Sequence, residues 1–129
     1  MDTRTKILSA ADAAEVARKL RGEGSRAKLV SGYFDVLLPE HAERLDEIAD
    51  GGNKLMVAVL DVPGGILAAQ ARAELVAALD MVDYVVLAGS VAPRELVAEF
   101  EADDIVHEED ADRRRTQQLI EHVQRRHDA

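Results

Sequence analysis

The unbroken apolar run Leu55-Met56-Val57-Ala58-Val59-Leu60 constrains the fold more than any other stretch of the chain. A strand with one face in water alternates apolar and polar residues. A short run apolar at consecutive positions is what a strand buried on both faces requires, as in a parallel sheet covered by helices on either side. The turn residues that bound it, Gly51 and Gly52 before and Pro63-Gly64-Gly65 after, mark it as one strand among connected elements.

The flanking sequence supplies those elements. Ser9 predicts the N-cap of a first helix with Ala14, Val16 and Leu20 inward and Gly22 or Gly24 at its end. Ala27 to Phe34 reads as a strand, and Pro39 opens a second helix to about Asp50, with Leu45 and Ile48 inward and Gly51 and Gly52 at its close. After the strand Lys54 to Leu60, Ile66 to Asp80 carries Leu67, Leu75 and Leu79 at helical spacing. Tyr84 to Ala88 is a third strand, Pro93 to Phe100 a helix, Ile105-Val106 a short fourth strand, and Arg113 to Arg126 an amphipathic closing helix. Alternating strands and helices predict right-handed crossovers, a parallel α/β sheet, and ligands bound beyond the carboxyl ends of the strands.

Charge narrows the range of partners. The 129 residues carry a formal net charge of -9, the wrong sign for nucleic acid or an anionic membrane surface. Cysteine is absent, which excludes a disulfide framework and thiolate chemistry. Acidic and basic residues interrupt the apolar runs before any reaches the length of a membrane span, and the polar stretch Met1 to Lys6 does not read as a signal peptide, so a cytoplasmic location is expected. With aromatics limited to Tyr33, Phe34, Tyr84 and Phe100, aliphatic packing must make the core.

At the carboxyl end of the first long strand stands Ser31-Gly32-Tyr33-Phe34-Asp35-Val36-Leu37-Leu38-Pro39-Glu40-His41. Gly32, Phe34 and Asp35 resemble the glycine, any residue, phenylalanine, aspartate signature of the cytidylyltransferase-like nucleotidyltransferases. His41 resembles the second histidine of their histidine, any residue, glycine, histidine motif. Lys6 to Ser9, Val57-Ala58-Val59 and Arg72 to Leu79 leading into Val82 to Val86 extend the resemblance over most of the chain, closest to the domain that adenylylates heptose 1-phosphate. It implies a single Rossmann-like three-layer α/β/α domain over residues 1–129. The sheet would have four or five strands in the order 3-2-1-4(-5). Residues 1–24 would form a helix packed on the sheet, and 107–129 an acidic loop and a C-terminal helix.

The resemblance implies nucleotide contact by Gly32, Tyr33, Phe34, Asp35, His41, Arg72, Arg115 and Thr116, with His41 catalytic if the protein is active and Mg²⁺ arriving with a nucleoside triphosphate. The chain departs from the pattern where the chemistry is done. Leu38 stands in place of the first histidine and Glu40 in place of the glycine, so a carboxylate occupies the first turn of a helix whose free amides otherwise attract anions. The lysine after the second long strand and the hydroxyl pair at the last helix are missing.

Each candidate also has a plainer reading. Asp35 is a metal or ribose ligand or a cap on backbone amides. Arg72 reaches the ligand crevice or pairs on the helix surface with Glu74 or Asp80. Arg113, Arg114 and Arg115 replace the lost phosphate donors or neutralise the acidic run Glu108, Glu109, Asp110 and Asp112. His107, Glu108 and Asp110 do not share one face of a strand, and no metal site is expected from them. The residues thus point to a nucleotide-binding or regulatory domain with lost or impaired nucleotidyl transfer. The alternatives are a structural protein that dimerises or binds a protein partner, and an active transferase acting on a sugar or polyol phosphate.

Overall fold

The computed structural model describes residues 2–50 and 52–128; Met1, Gly51 and Ala129 lie outside the described residues, and with them the expected role of Gly51 at a helix end. The elements in chain order are β1 (Ile7–Leu8), α1 (Ala10–Gly22), β2 (Ala27–Gly32), α2 (Pro39–Ala49), β3 (Lys54–Val59), α3 (Ala69–Ala77), β4 (Tyr84–Leu87), α4 (Arg94–Val97), β5 (Ile105–His107) and α5 (Glu109–Asp128). One five-stranded sheet runs β1-β4-β3-β2-β5, and every pair in it is parallel. The run β4-β3-β2-β5 reproduces the expected order of the four strands read from the sequence. The fifth strand is not an addition after β5: it is Ile7–Leu8, paired with Val85 and Val86 on the opposite edge. A two-residue strand carries no periodicity, which is why the sequence does not announce it.

The central run behaves as its composition requires. Leu55, Val57 and Val59 of β3 point to one face, against Leu45, Ile48 and Ala49 of α2 and Ala73, Val76 and Ala77 of α3. Met56 and Ala58 point to the other, against Ala13, Ala14 and Ala17 of α1 and Leu96 of α4. Burial of each large aliphatic side chain in these two layers contributes about 1.5–3 kcal/mol, which makes the sheet the rigid frame for whatever its carboxyl edge carries. On that frame α1 starts where Ser9 accepts from the Asp12 amide (3.1 Å). Pro39 occupies the first turn of α2.

Several boundaries differ from the sequence reading. The strand expected to reach Phe34 ends at Gly32, because Phe34 has left-handed backbone (φ 48°). The helix expected from Ile66 to Asp80 is only Ala69–Ala77. Its buried face is Arg72, Ala73, Val76 and Ala77, while Leu75 is 44% exposed. The helix after Pro93 is a single turn, Arg94–Val97. The closing helix starts four residues earlier than Arg113, at Glu109, so the expected acidic loop is largely its first turn. Acidic side chains at a helix start are favoured by the dipole, and here Glu109 and Asp112 are also hydrogen-bonded to residues outside α5. Among the described residues no helix is long and apolar enough to cross a membrane.

Candidate functional site

The carboxyl end of β2 is where the backbone departs from the ordinary. A left-handed φ at a bulky, non-glycine residue is strained and is kept only where its surroundings hold it. Phe34 is held by its ring, which is buried and packs on the His41 ring at 5.5 Å between centroids. The consequence is that two successive amides, of Tyr33 and Phe34, point at one spot, the arrangement of an anion-binding nest.

That spot is filled from within the chain. The Tyr33 and Phe34 amides donate to Asp112 Oδ2 at 2.9 and 3.2 Å. His41 Nε2 lies 2.5 Å from Asp112 Oδ1, and Arg115 Nη1 donates to the same oxygen at 3.2 Å. The other ring nitrogen of His41 accepts the Leu38 amide (2.9 Å), so the ring proton sits on Nε2 and is donated to Asp112. Asp112 is 1% exposed and His41 1%. Gly32 completes the cradle by what it lacks: a Cβ there would stand 2.5 Å from Asp112 Oδ2 and 2.8 Å from Phe34 Cε2.

Neighbouring polar contacts fasten α5 over this cradle. Buried Glu108 accepts from Arg44 Nε of α2. That hydrogen bond lifts the Arg44 guanidinium above its ordinary value. The Glu108 amide donates to Ser31 O (2.8 Å), and the Ser31 hydroxyl donates to Glu109 while accepting from His107 Nδ1 (3.0 Å). The Arg113 guanidinium lies over the Tyr33 ring, 5.1 Å from its centroid, and donates to its hydroxyl (2.6 Å).

Beside the cradle, at the ends of β2 and β3, opens a cleft of about 560 Å³ lined among others by Tyr33, Asp35, Ile66, Asp112, Arg114 and Thr116. Of the residues singled out in the sequence, Tyr33, Asp35, Arg113, Arg114 and Thr116 reach this cleft. Gly32, Phe34 and His41 lie against Asp112, and Arg115, while donating to Asp112, lines a separate hollow with Leu38 and Glu40.

Arg72 belongs to neither of its expected settings. It is 3% exposed and donates to three carbonyls, Tyr33 O (2.6 Å), Leu60 O (2.7 Å) and Leu67 O (3.2 Å), bracing the ends of β2 and β3 and the loop after them. Asp35 holds that loop from above, with Oδ1 accepting the Ile66 and Leu67 amides at 2.8 and 3.0 Å and Oδ2 the Ile66 amide at 2.9 Å. It satisfies backbone amides, as its plainer reading held, but those of the loop before α3 and not of α2.

Glu40 stands in the first turn of α2, as the sequence indicates, and is exposed; the carboxylate that meets His41 and the Tyr33 and Phe34 amides is a different one, Asp112. The sequence offers Asp112 only as one member of an acidic run, with no role at the site. With the helix begun at Glu109, Glu108 and Asp112 stand four apart and share a face, a spacing that was readable in the acidic run.

Among the described residues, no His, Asp or Glu cluster could hold a metal ion. Asp35 and Asp112 already accept from N–H groups, so neither offers a free carboxylate to a resident cation.

No family model matches the chain. Curated relatives do. The chain is 35% identical over 99 residues to the bifunctional protein HldE of Chromohalobacter salexigens, covering 70% of the chain and 20% of that protein. It is 30% identical over 107 residues to that of Vibrio parahaemolyticus (76% and 22%) and 31% over 110 residues to that of Acidiphilium cryptum (78% and 23%). The chain is similar to one stretch of HldE. It spans about a fifth of the length of these relatives. The similarity supports a distant relationship of the kind the Gly32-to-Asp35 and His41 motifs suggest.

Proposed function

We propose that this domain is a divergent member of the nucleotidyltransferase-like proteins that binds a nucleotide in the cleft at the ends of β2 and β3 and has lost or impaired nucleotidyl transfer. One observation carries the reading: the nest of the Tyr33 and Phe34 amides with His41 Nε2 is built for an oxyanion, holds a carboxylate, and opens onto a cleft of nucleotide-compatible size. Arg113 and Arg114 at the cleft supply positive charge for phosphates, and Mg²⁺ would enter already bound to them. Transfer is impaired because the position of the first histidine is Leu38, which offers no proton to charge developing on a phosphate.

Titration calorimetry with ATP and CTP, each with and without Mg²⁺, tests this. Heat that saturates below millimolar ligand supports it. No heat with any of the four favours a second reading, in which the closed cradle makes the domain a structural one that dimerises or docks on a protein. Release of pyrophosphate by the unaltered protein with a sugar phosphate would overturn the loss of transfer.

A further inference from the structure

We propose that α5 is an internal competitor for the anion cradle: the Asp112 carboxylate occupies the position of a phosphoryl oxygen, and a phosphate-bearing ligand enters only when the first turns of α5 lift away. The inference rests on the nucleotide reading above and adds its regulation.

The chemistry of the cradle is indifferent to whether a carboxylate or a phosphate fills it. Asp112 receives two backbone amides, one imidazole N–H and one guanidinium N–H, all donors, and a phosphoryl oxygen satisfies the same set. The left-handed Phe34 and the bare Gly32 shape the spot at a cost in backbone strain and in packing that a merely structural aspartate does not require.

The attachment of α5 suits exchange. Among the described residues, none of α5 belongs to either hydrophobic layer of the core. Residues Glu121 to His127 are exposed, and the apolar side chains Leu119 and Ile120 are only partly covered. What fastens the helix is polar: Glu108 to Arg44, Glu109 to Ser31, Asp112 to the cradle and Arg113 to Tyr33. Such contacts can be traded for water and a ligand anion without opening the sheet. A site closed for most of the time weakens the apparent affinity by the fraction of time it is open.

The whole chain as wild type, Asp112→Asn, Asp112→Ala and the control Asp110→Asn, which alters an exposed acid on the same helix, is titrated with inorganic phosphate and with ATP. Asp112→Asn is expected to bind ATP about tenfold or more tightly than wild type. Asp112→Ala is expected to melt below wild type and to regain several degrees in phosphate, with Asp110→Asn unchanged. Equal ATP affinity in wild type and folded Asp112→Asn would overturn the proposal, as would a melting temperature of Asp112→Ala that does not respond to phosphate.

Hydrogen exchange of the wild type decides even where the variants do not fold. Amides of residues 112–120 exchanging by local opening well ahead of β2 and β3 are expected; exchange only through global unfolding overturns the proposal. The two readings fail separately. Phosphate rescue of Asp112→Ala with no ATP binding to any protein would sink the nucleotide reading alone. Tight ATP binding to wild type with α5 equally protected would sink the competitor alone.

Discussion

His41 Nε2 donates to Asp112 Oδ1 across 2.5 Å, joining the first turn of α2 to the first turns of α5 with both side chains almost wholly buried. The imidazole is therefore a connector, with its Nδ1 fixed by the Leu38 amide and its Nε2 by a carboxylate. His41→Ala removes both bonds and leaves a buried carboxylate short of a donor, and is expected to cost about 2–4 kcal/mol. In urea unfolding, His41→Ala and Asp112→Ala should be non-additive by about 1–3 kcal/mol, as expected for partners in one buried network. Additive losses would show that the pair does not act together.

Arg72 carries a positive charge into the core to meet three carbonyls. Arg72→Met preserves much of the length and apolar stem but leaves those oxygens without a donor, and should destabilise by about 2–4 kcal/mol. The loss should appear in the urea midpoint with an unchanged slope. A change below about 0.5 kcal/mol, the level of an ordinary surface substitution, would contradict the bracing role.

Gly32→Ala places a methyl against Asp112 Oδ2 and the Phe34 ring. Overpacking at this point is expected to cost about 1–3 kcal/mol. Because the clash falls on α5's carboxylate, hydrogen exchange within residues 109–116 should rise more than in β3. Uniform acceleration over the whole chain would contradict the geometry.

The frame was legible in the sequence because a short apolar run such as Leu55 to Leu60, bounded by turn residues, suits a strand buried on both faces, and Ser9 and Pro39 start their helices by local chemistry, with Gly24 in left-handed backbone just past α1; α2 closes instead on left-handed Asp50. What escaped was set by contacts distant in sequence. Ile7–Leu8 is a strand only because β4 pairs with it. Arg72, on a helix with apolar neighbours, gives no local sign that three carbonyls from separate segments converge on it. At the site, Gly32, Phe34, Asp35 and His41 were recognisable as a group, but their occupant was not. An aspartate within an acidic run reads as solvated charge until the fold shows which face of α5 meets β2.

Leu38→His with Glu40→Gly restores the missing histidine and glycine, yet Glu40 is exposed and is not the carboxylate that fills the cradle. The pair alone is therefore expected to leave phosphate affinity within about fivefold of wild type, the range of a surface charge effect. Added to Asp112→Asn, it should strengthen binding further, since the introduced imidazole would then face an open site. A large gain from Leu38→His and Glu40→Gly alone, measured by calorimetry, would place the obstruction at Glu40.

The most direct measurement is a nitrogen-15 spectrum of the histidine rings of the unligated protein near neutral pH. His41 should appear with its proton on Nε2, exchanging slowly with water, and with Nδ1 as the acceptor; Asp112→Ala should abolish the slow exchange. A His41 ring protonated on Nδ1, or exchanging freely with solvent, would contradict a cradle filled by Asp112.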